Sequence, residues 1–208
     1  EGTLNEIPVG STNIMHIPLQ HIKFDKRLLV EQEAKKLQPI PILVLTDMEE
    51  KRIFSVKKRN EALSKNSTEK NKLLLYVGGH IRAEDVVNGR KGDYLQTCRE
   101  ALQREVKEEL GISIALKNVE PIYIYGKGEQ EKKHIAICYK YPIQTDGLKI
   151  TMDSHELIKN SGTTKSGKFL ELSDIIDGKE EIEQWSALIL NYYWGIEIEA
   201  ERQMSLFD

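Results

Sequence analysis

The sequence predicts an α+β fold, in the form of an α/β/α sandwich with a mixed, partly antiparallel sheet, a central helix and a C-terminal helix. Two observations predict it. A helical apolar pattern occupies the middle of the chain, and β-rich segments flank that pattern on both sides. The 208 residues suffice for one sizeable domain. We expect an N-terminal extension at residues 1–38 that packs on a core domain at residues 39–208.

Segments rich in β-branched and aromatic residues predict strands before the central helix. Residues 42–45 and 52–56 flank Asp47-Met48-Glu49-Glu50, and this arrangement predicts a hairpin. Residues 73–77 predict a buried strand that stops abruptly at Gly78 and Gly79.

The central helix is predicted to begin around Tyr94, because the apolar residues that follow are spaced three or four apart. These residues are Leu95, Cys98, Ala101, Leu102, Val106 and Leu110. Gly111 then supplies the left-handed backbone at which helices commonly end. Further strands are predicted at residues 122–125, 134–139, 148–152 and 168–172, and a last helix from about Glu180.

Composition excludes several classes of protein. The chain has 30 Lys and Arg against 33 Asp and Glu, a formal charge of −3, so its overall charge does not predict binding to nucleic acid or to an anionic membrane. It has no apolar run near the ~18 residues that a membrane-spanning helix needs. Cys98 and Cys138 have no CxxC partner, so we expect neither a disulfide framework nor a structural zinc site. A reducing cytoplasm is the expected location.

The most informative stretch runs from Arg104 to Ile112. On a helix, Glu105, Glu108 and Glu109 project from one stripe, three and four positions apart. Like charges at these spacings destabilise an exposed helix by roughly 0.2–0.5 kcal/mol per pair. A hard divalent cation such as Mg²⁺ would compensate for them, because it prefers carboxylate and water oxygens. The alternative is an ordinary solvated acidic face.

Residues 78–112 resemble the signature of the Nudix hydrolase family, GX5EX7REUXEEXGU, where U is aliphatic. The second half matches in full from Arg104 to Ile112. Counting back from Arg104 puts Gln96 and Arg90 where the signature has Glu and Gly. An insertion after Gly78-Gly79 is the simplest explanation, and the candidates for the displaced carboxylate are Glu84, Asp85 and Asp93.

The resemblance implies a Nudix-like fold and hydrolysis, with Mg²⁺ or Mn²⁺, of a nucleoside diphosphate linked to another group. It implies that Glu105, Glu108 and Glu109 hold the metal, that Glu105 and Glu108 act in catalysis, and that Arg104 orients a carboxylate through an ion pair. Bound cations would screen the phosphates and acidify the attacking water.

The general base and the substrate contacts are less well defined by the sequence. A base must lie within reach of its water. The resemblance implies that the base is either one of the three helix glutamates or a carboxylate from a later loop. For the later loop, Glu156 is the preferred candidate, and Glu129 and Glu131 are alternatives. Gly79 and His80 are candidate substrate-binding residues, although His80 also fits a histidine whose ring is satisfied by backbone at a strand end.

Two other functions compete with hydrolysis. One is a Nudix-like module that binds a nucleotide metabolite without turning it over. The other is an isomerase of a prenyl diphosphate, which would need an additional acid and a thiol, whereas Cys98 is expected to be buried. The expected partner is a small nucleotide or pyrophosphate, with no membrane and no nucleic acid, and a homodimer is favoured only by its general frequency among enzymes.

Overall fold

The computed structural model describes residues 37–63, 67–86, 94–125, 134–153, 155–159, 165–178 and 180–198. Contacts divide the chain into two compact units. The first consists of Glu1–Val44, Val77–Tyr141 and Lys149–Thr151, and the second of Leu45–Tyr76, Pro142–Leu148 and Met152–Asp208. Both contain strands and helix, so the predicted α+β class is confirmed. The expected extension at residues 1–38 falls almost wholly outside the described residues and stays a prediction.

Six strands and three α-helices make up the described part of the chain. The strands are β1 (Gln38–Asp47), β2 (Arg52–Ser55), β3 (Val77–Gly78), β4 (Ile122–Ile124), β5 (His134–Ile143) and β6 (Lys168–Glu171). The helices are α1 (Tyr94–Leu110), α2 (Leu172–Ile176) and α3 (Gln184–Trp194). None of the described helices is both long enough and apolar enough to cross a membrane.

In the first unit, β5 lies between β4 and β1. The β4–β5 pair is antiparallel, with Tyr123 opposite Ile137, and β3 pairs antiparallel with β1, with Ile42 opposite Gly78. Helix α1 packs against β3. The predicted helix face is confirmed at Cys98, Ala101, Leu102, Val106 and Leu110, which are buried, whereas Leu95 is only half-buried and the neighbouring Tyr94 is buried instead.

Gly78 allows β3 to approach β1 closely. A Cβ atom on Gly78 would collide with the carbonyl oxygen of Pro41 and would lie 2.9 Å from the Cα of Ile42. The φ angle of Gly78 is +148°, a backbone conformation that L side chains rarely adopt. The strand predicted at residues 73–77 is confirmed only in part, because the regular strand β3 is limited to Val77 and Gly78. This close approach fixes the backbone just before Gly79.

Helix α1 ends at the predicted glycine. Gly111 has φ +67°, and its N–H donates to the carbonyl oxygen of Lys107 at 3.1 Å. The N–H of Thr151 donates to the last helical carbonyl, that of Leu110, at 2.9 Å. The prediction of a strand at residues 148–152 is wrong, because this backbone caps the helix instead of joining a ladder.

In the second unit, β2 pairs antiparallel with the end of β1 and with β6. Thr46 lies opposite Ile53, which confirms the hairpin, and Phe54 lies opposite Phe169, which confirms the strand predicted near residue 168. The two phenylalanine rings pack with centroids 5.3 Å apart.

The last helix begins at Gln184, later than the predicted start at Glu180. The intervening backbone is used by Leu73, whose N–H donates to Glu181 at 2.8 Å and whose carbonyl accepts from Glu183 at 3.1 Å. The Glu183 carboxylate then caps the helix by accepting from the N–H of Ser186 at 3.1 Å. An extended segment with this pairing cannot also be helical.

Candidate active site

The three glutamates of the predicted stripe on α1 differ in their exposure to solvent. Glu109 is buried, with 4% of its surface exposed. The side chain of Glu105 is 12% exposed and that of Glu108 is 47% exposed. The stripe therefore runs from the packed side of the helix to its solvent side.

Arg104 links this helix to the segment that follows Gly79. Its guanidinium binds both oxygens of Asp85, with Nε 2.8 Å from Oδ1 and Nη2 2.9 Å from Oδ2. Nη1 donates to Glu105 Oε1 at 2.7 Å, and Nη2 also donates to the carbonyl oxygen of His80 at 3.1 Å. Nη1 also donates to Glu108 Oε2 at 3.3 Å, so one planar group contacts three carboxylates and one backbone carbonyl. These contacts are ion pairs of the kind predicted for Arg104, and its role in orienting a catalytic carboxylate stays a prediction.

Asp85 is the candidate carboxylate that the structure joins to Arg104. It ends the short 3₁₀ turn Ala83–Asp85, and its Oδ2 accepts from the backbone N–H of Arg82 at 2.7 Å. Burial opposes its ionisation, but the hydrogen bonds from Arg104 and from the Arg82 backbone outweigh burial and lower the pKa of Asp85. The hydrogen bond to Asp85 in turn raises the pKa of Arg104. The pair is therefore charged on both sides at neutral pH.

The sequence held a signal for Asp85 that counting back from Arg104 does not use. Counting forward from Gly79 with the GX5E spacing reaches Asp85, where the signature has its first glutamate. Of the other candidates, Glu84 is exposed and Asp93 lies outside the described residues. The insertion thus separates Asp85 from Arg104 and leaves the spacing between Gly79 and Asp85 unchanged.

Arg82 is a site residue that sequence reasoning missed. Its Nη1 and Nη2 donate to the two oxygens of Glu108 at 3.2 and 3.0 Å, and Nη2 lies 3.9 Å from Glu105 Oε1. Its only signal in the sequence is its place three residues after Gly79, inside the signature segment.

Gly79 adjoins the Glu105 carboxylate, and the carbonyl oxygen of His80 accepts from Arg104. A Cβ atom on Gly79 would lie 2.8 Å from the carboxyl carbon of Glu105 and 2.9–3.0 Å from its two oxygens. Glycine therefore leaves the space that the Glu105 carboxylate occupies. The His80 ring meets the ring of His134 edge-on, with centroids 6.2 Å apart. The predicted substrate contacts of Gly79 and His80 stay predictions.

The donor set can be compared with what a metal needs. Across the described ranges, no three His, Cys, Asp or Glu side chains already stand in an arrangement that would hold a metal ion. Glu105 and Glu108 instead point their oxygens at Arg104 and Arg82. By donor type the residues fit a hard divalent cation, since three carboxylates on one helix are the ligands that Mg²⁺ prefers. In the described structure the Glu108 oxygens accept from two guanidinium groups, those of Arg82 and Arg104.

The candidate general bases are not brought to this cluster by any described contact. Glu156 belongs to the second unit, where its side chain is exposed and its carbonyl oxygen accepts from the N–H of Arg59 at 2.8 Å. Glu129 and Glu131 lie outside the described residues. The assignment of a base stays a prediction.

Comparison with known proteins supports the fold. No protein-family model and no curated protein sequence matches the chain. The crystal structure of Tm1382, a candidate Nudix hydrolase, superposes with a TM-score of 0.52 and 20% identity, covering 82% of this chain and 80% of that one. The chain has a Nudix-like fold.

Two further solved structures show weaker likeness to this Nudix-like chain. The MutT protein from Methanosarcina mazei matches with a TM-score of 0.49 and 17% identity, covering 76% of this chain and 94% of its own. The MutT Nudix hydrolase from Burkholderia pseudomallei matches with a TM-score of 0.48 and 15% identity, covering 74% and 97%. The fold assignment rests on Tm1382 alone.

Proposed function

We propose that this chain is a metal-dependent hydrolase of a phosphoanhydride bond in a nucleoside-diphosphate-linked or related organic pyrophosphate substrate. The observation that carries the proposal is the ion-pair network of Arg104, which joins Asp85 after Gly79 to Glu105 on α1. On a Nudix-like fold, this network connects Asp85, in the first half of the signature, to Arg104 and Glu105 in the second half, although more residues separate the two halves here than in the signature.

The residues have distinct roles in the proposed reaction. Glu105, Glu108 and Glu109 would hold Mg²⁺ or Mn²⁺, which would supply charge screening, phosphate orientation and a more acidic water. Arg104 fixes the Glu105 carboxylate, and Gly79 and His80 would line the phosphate position. The oxygen of water forms a bond to phosphorus while the bridging P–O bond breaks and the leaving phosphate takes its electrons.

A base must take the proton of that water. We keep Glu156 in this role, because a carboxylate supplied by a loop outside the metal-holding helix would serve as base without giving up a ligand. Glu129 and Glu131 remain alternatives.

The proposal also covers the kind of substrate, the cellular location and the oligomeric state. A small nucleotide or pyrophosphate fits an acidic cation site better than a polymer does, since the overall charge of −3 does not attract nucleic acid. Cys98 and Cys138 are both buried and in no disulfide, as a reducing cytoplasm allows. We retain a homodimer as an expectation from general frequency.

The burial of the two cysteines bears on one of the alternative functions, and assays bear on the other. Burial raises the pKa of the Cys138 thiol, and Cys98 is fully buried, so neither offers the reactive thiol that a prenyl diphosphate isomerase would need. A binding module without turnover differs from the hydrolase only in its outcome with substrate, so assays with candidate substrates separate the two.

The test is release of phosphate or nucleotide from nucleoside triphosphates, nucleotide sugars, ADP-ribose and dinucleoside polyphosphates, with Mg²⁺, with Mn²⁺ and with chelator. Glu109→Gln removes one ligand charge at almost constant shape, so turnover should fall by at least about a hundredfold. The matched control is Glu100→Gln, on the same helix but hydrogen-bonded to Gln96, and it should keep wild-type turnover.

Turnover of one substrate class that disappears with chelator and in Glu109→Gln supports the hydrolase. Full metal-dependent activity in Glu109→Gln contradicts it. If no compound is turned over while one of them raises the melting temperature, the chain is a binding module.

A further inference from the structure

Arg82 lies against two of the carboxylates that the proposed function assigns to a metal. Both guanidinium Nη atoms hydrogen-bond to Glu108, and Nη2 lies 3.9 Å from Glu105. A divalent cation bound by Glu108 would need the same oxygens. The guanidinium and the metal are therefore competitors for one side chain.

The exposure of this ion pair decides which partner gives way. The side chain of Arg82 is 45% exposed and that of Glu108 is 47% exposed, and ion pairs in such exposed positions contribute little to stability. The Arg104–Asp85 pair differs, because its side chains are 18% and 5% exposed. A cation can therefore displace Arg82 from Glu108 at little cost, and Arg104, whose Nη1 also donates to Glu108 at 3.3 Å, would keep its less exposed partner Asp85.

The displaced guanidinium would stay close to the site. The backbone of Arg82 is anchored, since its N–H donates to Asp85 Oδ2 at 2.7 Å. Arginine remains charged at any ordinary pH and binds phosphate oxygens in the same two-pronged way in which it binds a carboxylate. A pyrophosphate arriving with the metal offers such oxygens.

We propose that Arg82 competes with the divalent cation for Glu108 and, once displaced, binds a phosphate oxygen of the substrate. This inference rests on the proposed function. It makes Arg82 a substrate-binding residue that also lowers the affinity of the empty site for metal, so that metal and phosphate are bound more strongly together than separately. Such coupling is reciprocal by thermodynamic necessity.

The test measures the two affinities separately in Arg82→Gln. Mn²⁺ binding, followed by the electron paramagnetic resonance signal of free Mn²⁺, should become roughly two- to fivefold tighter, because the competing ion pair is gone. Binding of methylenediphosphonate, a non-hydrolysable pyrophosphate, at saturating Mg²⁺ should become about tenfold weaker, because a charge-assisted hydrogen bond is lost. Changes of opposite sign distinguish competition from a merely structural role, which would weaken both.

Lys107→Gln is the matched control. Lys107 is exposed on α1, the helix that carries Glu108, so the substitution removes one positive charge near the same glutamates. It should change the Mn²⁺ affinity less than Arg82→Gln does and should leave the methylenediphosphonate affinity unchanged. Thermal unfolding of both variants checks that they are folded.

The results that overturn the inference are specific. Mn²⁺ affinity in Arg82→Gln that is unchanged or weaker, or methylenediphosphonate affinity that is unchanged, refutes it even where Glu109→Gln abolishes Mn²⁺ binding and the hydrolase proposal survives. If wild type binds no Mn²⁺, or if Glu109→Gln binds it as well as wild type does, the proposed function and this inference fail together.

Discussion

Arg104 donates hydrogen bonds to both carboxylate oxygens of Asp85, at 2.8 and 2.9 Å, although the two residues are 19 positions apart in the chain. The pair ties the turn after Gly79 to the helix that carries the glutamates. Arg104 also donates to Glu105, so a substitution at Asp85 should change the position of the Glu105 carboxylate, which is proposed to hold the metal.

Asp85→Asn should reduce turnover and stability together. The neutral amide cannot accept two charge-assisted hydrogen bonds, so we expect the free energy of unfolding to fall by about 1–3 kcal/mol. Metal-dependent turnover should fall by at least about tenfold, because Arg104 no longer holds Glu105 in place. Denaturant unfolding and steady-state kinetics measure the two effects.

Asp85→Glu is the informative control for that change. It keeps the charge at the position where the signature has glutamate, so it should recover most of the lost activity. If Asp85→Asn is as active as wild type, the Arg104 network does not position the site.

Gly79→Ala should impair metal binding while the protein stays folded. The added Cβ would lie 2.8 Å from the carboxyl carbon of Glu105, the mobile end of a side chain that can move away. We expect Mn²⁺ affinity to fall with little change in melting temperature. Titration calorimetry and thermal unfolding check the two parts.

Gly78→Ala provides the contrast one residue earlier. There the added Cβ would strike the backbone of Pro41 and Ile42, which has no easy way to yield. We expect a loss of about 2 kcal/mol or more in the free energy of unfolding. Equal melting temperatures for the two variants would refute this distinction between a side-chain clash and a backbone clash.

Glu183 should make stability depend on pH. Burial of this helix-capping carboxylate raises its pKa from 4.5 to about 7, against the opposing hydrogen bonds from the N–H groups of Trp185 and Ser186. A raised folded-state pKa means that its stabilising contribution is complete below about pH 4.5 and is lost as the pH rises towards 7.

Glu183→Gln tests this dependence, because glutamine keeps a capping oxygen and does not titrate. Relative to wild type, the variant should gain about 1–3 kcal/mol in the free energy of unfolding between pH 5 and pH 8. Glu181→Gln, at a side chain 47% exposed, should follow the wild-type profile. Parallel curves for wild type and Glu183→Gln would show that Glu183 does not titrate in this range.

Glu156→Gln tests the proposed base. If Glu156 takes the proton of the attacking water, kcat should fall by at least about a hundredfold at pH 7 while Mn²⁺ affinity stays the same. A kcat equal to that of wild type would remove Glu156 from the mechanism and direct the same test to Glu129 and Glu131.

Periodic and strongly patterned elements were predictable from the sequence. The apolar spacing of α1 and its stop at Gly111 depend on local geometry that residues themselves encode, and both were confirmed. The hairpin around residues 47–50 was predicted for the same reason. The strand expected at residues 148–152 was wrong, because its hydrogen bonds go to the helix end through Thr151, a tertiary partner that local pattern does not reveal.

The part of the candidate site that lies on one continuous stretch of chain, helix α1, could be predicted from the sequence. Helical spacing places Glu105, Glu108 and Glu109 on one stripe, whereas Asp85 was not distinguished from Glu84 and Asp93 by counting back from Arg104. Counting forward from Gly79 points to Asp85, and the ion pair with Arg104 agrees with that count. Arg82 could not be found at all, since a basic residue in a turn is ordinary until its guanidinium is seen on Glu108.

The signature separates its first glutamate from its arginine by eight positions, whereas in this chain the same contact spans 19. A salt bridge constrains where two side chains meet and leaves the length of chain between them open. Chains of this kind are best sought with two short patterns, one ending at the acid and one starting at the arginine, joined by a gap of any length.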